Sequence, residues 1–279
     1  MDLAVTIVSP PGYQHSEAFR EVAESIHFAL ISLGHDSVVT TEGALPGRQH
    51  IVLGANLLPH FPIPIDRQAI LYNLEQAQAG SPWFQPEYFD VLRRHAVWDY
   101  SAHNALALGS LGVEVDSIVP IGYVEQLTRI THAPSPDIDV LFIGSMNPRR
   151  TRVLEEMEAS GLSVHAAFGV YGSARDALIG RAKVVLNVHY YEAKVLEMVR
   201  ISYLLANHCV VLSEPGSDPL EDAAFSEGIV FAEYDRLAER ACELVQAPDE
   251  CALVSKRGFE LFSARPASEY LRSVLGGAA

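Results

Sequence analysis

Apolar and polar positions alternate in blocks along this 279-residue chain. Short β-branched runs predict strands, and longer stretches with apolar spacing of three to four predict helices. The pattern opens with a strand over 3–8 and a turn through Pro10, Pro11, Gly12, Tyr13, Gln14 and His15. A helix over 17–33 follows, with Ser16 as its cap and Gly34 as its stop. Strands are expected over 37–40, 51–53, 69–72, 95–98 and 117–119, with helices over 86–94 and 103–111. The stretch 131–137, which carries Pro134 and Pro136, reads as a linker, and a strand over 140–143 restarts the alternation. A helix over 149–160, a strand over 163–168, a helix over 174–179, a strand over 229–231 and helices beyond Asp235 complete it. Strands alternating with helices build parallel sheets covered on both faces. The expectation is therefore an α/β chain of two units, 1–133 and 137–265, facing each other across a cleft. The segment 266–279 holds a last helix, over 267–275, that crosses back to the first unit. Ligands of such folds gather at the carboxyl ends of the strands.

The stretch 182–214 is the densest. Apolar strands over 183–188 and 209–212 flank a mostly apolar helix over 193–207. On that helix Lys194, Glu197 and Arg200 recur every third residue and share one stripe. A helix lying between two buried strands has little use for such a stripe unless it faces a ligand.

Composition narrows the function. The formal charge is −15, against nonspecific nucleic-acid binding, which needs clustered Lys and Arg. The opening residues carry no basic region, and no apolar run is long enough for a leader or a membrane span, so a cytoplasmic protein is expected. Cys209, Cys242 and Cys251 show no CxxC spacing and read as reduced thiols, not as a metal site. Disorder is expected only in the tail Gly276-Gly277-Ala278-Ala279.

Four groups of residues carry candidate chemistry. After the strand over 140–143 comes a small-residue turn, Gly144-Ser145-Met146, then Asn147 as a helix cap and Pro148 in the first helical position. A helix N-terminus with Arg149 and Arg150 beside it suits phosphate. Asn187, His189 and Tyr190 stand at the end of the next strand, where the imidazole would meet a sugar hydroxyl or a phosphate and the phenol ring would stack on a base or sugar. Ser213 and Glu214 end the strand after that. In the first half, His15, Glu75 and Asp99 each follow a strand and are candidates for a general base, although Asp99 and Ser101 also resemble helix caps. The pair Asp137 and Asp139 precedes its strand, at the pole opposite the expected site, and reads as linker chemistry. No HExxH, GxSxG, GxxxxGK[ST] or CxxC is present, and no GxGxxG follows the first strand, which disfavours zinc and serine hydrolases, P-loop ATPases and dinucleotide oxidoreductases.

In sequence order the chain resembles small bacterial glycosyltransferase-like proteins of the GT-B type, which have two facing Rossmann-like domains. The resemblance is carried by Asn73-Leu74-Glu75-Gln76, by the run from Trp98 to Asn104, by Pro120 to Tyr123, by Asp139 to Arg150, and by Leu186 onward to Glu214. It implies an N-terminal acceptor domain and a C-terminal domain that binds a UDP- or GDP-linked sugar. Gly144, Ser145, Asn147, Arg149 and Arg150 would then hold the diphosphate. Asn187, His189, Tyr190, Glu197, Arg200, Ser213 and Glu214 would line the rest of the donor pocket. It further implies transfer with no metal and no cofactor beyond the co-substrate, to an acceptor (small molecule, glycan or peptide) that the resemblance does not name. Many such enzymes carry two glutamates eight apart, the second on the ribose; here Ser202 or Tyr203 falls at that second place. That departure keeps open a non-catalytic nucleotide- or partner-binding module, and a nucleotide-sugar epimerase or hydrolase on the same fold.

Overall fold

The computed structural model describes residues 1–78, 81 and 83–276. Within them the chain forms two compact units, Met1–Val124 with the segment from Arg265 onward, and Glu125–Ala264. Residues 277–279 of the tail lie outside the described residues.

The first unit contains β1 (Asp2–Ile7), α1 (Arg20–Ser32), β2 (Asp36–Thr40), β3 (Gln49–Leu53), β4 (Ile70–Asn73), α2 (Pro86–Leu92), β5 (Ala96–Asp99), α3 (Ala102–Ser110) and β6 (Ser117–Ile118). Its strands form one parallel sheet in the order β2-β1-β3-β4-β5-β6. Val5 pairs with Val39 on one side and Ile51 on the other, which fixes the register at the centre. Such strands are buried on both faces, which is why they read as unbroken apolar runs. The expected helix over 17–33 is shorter: a 3-10 segment, Gln14–Phe19, precedes α1. Ser16 does not cap it, because its hydroxyl donates to Val8 O at 2.8 Å.

The second unit contains β7 (Ile138–Ile143), α4 (Pro148–Ala159), β8 (Val164–Ala167), α5 (Gly172–Ile179), β9 (Ala182–Asn187), α6 (Met198–Ala206), β10 (Val211–Ser213), α7 (Pro219–Phe225), β11 (Val230–Phe231), α8 (Leu237–Gln246) and α9 (Pro248–Ser263). Its sheet is also parallel, in the order β11-β10-β9-β7-β8, with Phe142 beside Leu186 and Ala166. Apolar side chains from β7, β9 and β10 pack with Val153 and Met157 of α4 and Leu237 and Leu244 of α8. The stretch 131–137 belongs to this unit, and Ala133 N–H donates to Gly180 O at 2.7 Å.

A last helix, α10 (Ala267–Leu275), belongs to the first unit and packs on α1. The chain re-enters that unit through a short parallel bridge, with Tyr123 N–H donating to Arg265 O at 2.8 Å and Ala267 N–H to Tyr123 O at 2.9 Å. Gly122 makes the crossing possible, since a Cβ there would stand 2.4 Å from Ala267 Cα and 2.6 Å from Ala267 N. Backbone on the far side cannot yield as a flexible side chain would. Gly122→Ala is expected to cost roughly 1–3 kcal/mol of stability, read as a lower urea midpoint. An unmoved midpoint would show that α10 is not held at this point.

Candidate active site at the strand ends

The carboxyl ends of β7, β9 and β10 bring most of the sequence-selected residues of the second unit together. The anchor is Arg150, at the third position of α4 and almost fully buried. Its Nε and Nη2 donate to Val188 O at 2.8 and 2.5 Å, and its Nη1 donates to Ser145 O at 2.8 Å. The same guanidinium reaches Glu197 Oε1 at 3.3 Å and lies over the rings of Phe142 and Tyr190. Burial pushes its pKa down to about 10, against the pull of Glu197. Arg150 is thus a fixed tie between two strand ends, not the mobile charge expected beside a phosphate.

Arg149 is the more open of the pair. It forms a two-pronged ion pair with the buried Glu214, with Nη1 to Oε2 at 2.7 Å, and its guanidinium lies 4.0 Å from the Tyr234 ring centroid. The Tyr234 hydroxyl donates to Arg149 O at 2.8 Å, which fixes the ring beside the guanidinium. Lys194 Nζ adds a second cation to Glu214 Oε1 at 2.8 Å. Burial works to raise the Glu214 carboxyl, but hydrogen bonds from Arg149 and Lys194 overcome it and hold the pKa below its ordinary value. Arg200 completes the set, with Nη2 2.8 Å from Glu197 Oε2 and Nη1 donating to Asn187 Oδ1 at 3.1 Å. Four cations therefore surround two carboxylates at one end of a sheet in a chain of net charge −15, with the Asp222 carboxylate, which accepts from Gly216 N–H at 2.8 Å, beside them.

Asn187 and Ser213 are fully buried register partners on β9 and β10. Asn187 Nδ2 donates to Ser213 Oγ at 3.0 Å, so these two position Arg200 from inside the sheet. His189 is buried with Nε2 3.1 Å from Pro215 O, whereas Tyr190 stays exposed.

Two expectations about local structure change. The stretch 193–207 is not one helix: α6 begins at Met198, with Glu197 at its N-cap. Lys194 sits in a left-handed conformation (φ 46°), and Val195 and Leu196 are buried within the preceding loop. The stripe is therefore a convergence of a loop, a cap and a first helical turn around Glu197 and Glu214. The N-terminus of α4 also offers less than expected. Asn147 caps it by accepting from Arg150 N–H at 2.8 Å, Pro148 has no N–H, and Thr151 N–H donates to Asn147 O at 2.9 Å. What remains open is the turn itself, with Ser145 and Met146 exposed. A Cβ at Gly144 would meet Arg200 Nη2 at 3.2 Å and Arg150 Nη1 at 3.4 Å, so the missing side chain is what lets both guanidiniums approach the turn.

Sequence reasoning did not place Lys194 or Tyr234 among the candidates, although Lys194 stood in the stripe. It also passed over Phe168, exposed just past β8, where Gly144 N–H donates to Ala167 O at 3.0 Å. An apolar ring immediately after a strand end was the available signal.

In the first unit, the motifs at Asn73–Gln76 and Trp98–Asn104 prove to be one hydrogen-bond network. Asn73 Nδ2 and Asn104 Nδ2 each donate to Asp99 Oδ2 at 2.7 Å, and Ser101 N–H donates to Asp99 Oδ1 at 2.9 Å. Both amides also donate to Glu75 O, at 2.9 and 3.0 Å, which pins the loop after β4. Asp99 is thereby spent on holding its neighbours, and Ser101 is the cap of α3. Glu75 is half-buried, with Oε1 3.4 Å from Asn56 Nδ2. His15 lies edge-on to Tyr13, with ring centroids 5.2 Å apart, and Glu75 acts electrostatically on the same Tyr13.

Among the described residues no three His, Cys, Asp or Glu side chains gather as a metal-binding group, and no helix is long and apolar enough to cross a membrane. Asp137 and Asp139 are instead paired with Arg181 and Lys183.

No protein-family model matches the chain. Two uncharacterized proteins of Acanthamoeba polyphaga mimivirus are similar in sequence. One is 30% identical over 117 residues, covering 41% of this chain and 13% of its own length. The other is 26% identical over 187 residues, covering 63% and 59%. The chain thus spans less than two thirds of either relative. In structure it resembles TarM of S. aureus (TM-score 0.61, 12% identity, 91% of this chain and 57% of that one). It also resembles HepE of Anabaena, crystallised with UDP and glucose (0.63, 11%, 98% and 98%). A third is AviGT4, a glycosyltransferase of avilamycin A biosynthesis (0.57, 15%, 99% and 98%). The fold is the two-sheet α/β fold of GT-B glycosyltransferases.

Burial raises the Asp99 carboxyl from 3.8 to about 7, against the lowering effect of its Asn73, Ser101 and Asn104 donors. A carboxyl raised on folding favours the folded state while it is neutral. The stability it contributes is complete below pH 3.8 and is lost as pH rises through about 7. A carbon-13 titration of Asp99 should centre near 7; a midpoint below 5 would mean that the amide donors outweigh burial.

Proposed function

We propose that the chain is a glycosyltransferase that moves a sugar from a nucleotide-sugar donor to a second substrate. The observation that carries this reading is the cluster of four cations at the end of the second sheet, Arg149, Lys194, Arg200 and Arg150, around Glu197 and Glu214. In the reaction, an acceptor hydroxyl forms a bond to the anomeric carbon and gives up its proton to a base or to the departing diphosphate, as the bond from that carbon to the diphosphate oxygen breaks. Negative charge then grows on the departing diphosphate, and cations already held in place stabilise it without having to reorganise. These groups supply the charge a divalent cation otherwise brings, and on that ground we read the transfer as metal-independent. Tyr190 and Phe168 offer exposed rings for the base or sugar.

The nucleotide is read as UDP, because HepE was crystallised with UDP. The acceptor is assigned to the first unit, with Glu75 and His15 as candidate bases and Asp99 as the residue that positions the Glu75 loop. A second reading, a non-catalytic nucleotide-binding module, draws on Ser202 and Tyr203. Ser202 is buried, and the Tyr203 hydroxyl donates to Asp176 Oδ2 at 2.9 Å, so neither offers a carboxylate to a ribose.

A thermal-shift panel of UDP-, GDP-, ADP- and dTDP-sugars, followed by a donor-hydrolysis assay, separates the two. Stabilisation by a donor with slow hydrolysis supports transfer; stabilisation without turnover supports the module; no shift with any donor removes both. Arg149→Ala and Arg200→Ala are each expected to weaken donor binding about tenfold or more, as loss of a charge-assisted contact does. Arg150→Ala should instead lower stability by roughly 3–5 kcal/mol, since it leaves the Val188 and Ser145 carbonyls without their buried donor and Glu197 with one cation in place of two. Normal donor affinity in both of the first two variants would move the site elsewhere.

A further inference from the structure

Among the described residues two buried side-chain polar atoms have no hydrogen-bond partner, and His189 Nδ1 is one of them. His189 is 1% exposed and lies just past β9, inside the cationic end of the sheet. Its Nε2 stands 3.1 Å from Pro215 O. A carbonyl can only accept, so this nitrogen carries the ring proton and leaves Nδ1 as a bare acceptor. Burial keeps the imidazole below its ordinary 6.5, and this outweighs Glu197 and Glu214, which favour the cation. Glu197 Oε1 stands 4.0 Å from Nδ1 and is itself an acceptor that already receives Arg150 Nη2. Asp222, whose Oδ1 is the other unpartnered atom, also acts electrostatically on the ring and likewise offers no proton as a carboxylate. Two lone pairs set opposite each other gain nothing from one another, and a buried acceptor left without a donor costs free energy. A phosphate oxygen would add more lone pairs at this point. A hydroxyl would bring the proton that is lacking.

Building on the nucleotide-sugar reading, we infer that His189 Nδ1 accepts a hydrogen bond from a sugar hydroxyl of the bound donor. His189 is then a reader of hydroxyl groups within a site otherwise built for phosphate. Glu197 Oε1, 4.0 Å away, is a second acceptor, and the two together suit the adjacent hydroxyls of a sugar ring. The hydroxyl belongs either to the ribose or to the transferred sugar, and two probes tell these apart. UDP carries only the ribose hydroxyls, whereas UDP-glucose carries both sets.

The test is nitrogen-15 NMR of the histidine rings in the whole protein, with the His189 signals assigned by their loss in His189→Leu. Without ligand, Nε2 should be protonated and Nδ1 not; a proton on Nδ1 overturns the inference. Thermal shift first establishes which probe binds. If UDP moves the Nδ1 resonance the hydroxyl is the ribose's, and if only UDP-glucose does so it is the hexose's; either result supports the inference. A probe that binds and leaves Nδ1 unmoved shows that a retained water or nothing satisfies the nitrogen; the inference then fails while the functional reading stands. If neither raises the melting temperature but another nucleotide-sugar does, that sugar and its nucleotide serve as the probes; if no donor does, the functional reading falls and this inference falls with it. For a hexose hydroxyl, His189→Leu should weaken UDP-glucose about tenfold more than UDP, and His189→Asn, which restores an acceptor, should recover part of the difference. For a ribose hydroxyl the losses should be equal for both ligands and again partly recovered by His189→Asn; equal losses that His189→Asn does not recover would indicate a structural role alone. Should His189→Leu fail to fold, the His189 signals can be assigned with His189→Asn, and the wild-type spectra still decide the question.

Discussion

The burial of the Arg150 guanidinium governs the candidate site. A charge taken out of water is tolerated only where partners replace the lost hydration. Here the partners are the carbonyls of Val188 and Ser145 and the carboxylate of Glu197. Satisfying one cation therefore fixes the ends of β7 and β9 and the start of α6 at once. Several neighbours are placed by those three points. The Gly144–Ser145 turn is held by its carbonyl, His189 by the residue before it, and Arg200 by the carboxylate it shares with Arg150.

The first unit solves a similar problem with the opposite charge. Asp99 is enclosed by amide donors and not by a cation, and burial leaves its proton affinity high. In both units one buried ionisable group organises the loops at the carboxyl ends of a parallel sheet. The difference lies in the consequence. The second unit ends in surplus positive charge, and the first in an ordered loop that presents Glu75.

The strands were legible because residues buried on both faces must be apolar, so runs such as those around Val5, Phe142 and Leu186 announce themselves without periodicity. The Asn147-Pro148 helix start was legible because cap chemistry is local. What escaped were features decided at long range. That Arg150, and not Arg149, turns inward depends on the phase of α4 against the sheet. That Asn73, Asp99 and Asn104 share one network depends on β4 and β5 being neighbours. The helix expected over 193–207 was overextended because Val195 and Leu196 are apolar for burial in a loop, which composition does not distinguish from burial in a helix. Lys194 in a left-handed conformation keeps the helix from starting before Met198, where no Gly or Pro marks the boundary.

The return of α10 to the first unit bears on the order in which the chain matures on the ribosome. Domains generally fold as they emerge, the N-terminal one first. Here the first unit lacks Ala267 and Leu271, both buried in it, until all of Glu125–Ala264 has been made. The continuous second unit, Glu125–Ala264, contains all of its own strands and is complete earlier. Synthesis order and completion order are thus reversed. A nascent chain stalled before Pro266 would carry a finished second unit behind a first unit whose α1 face is still exposed to chaperones and proteases.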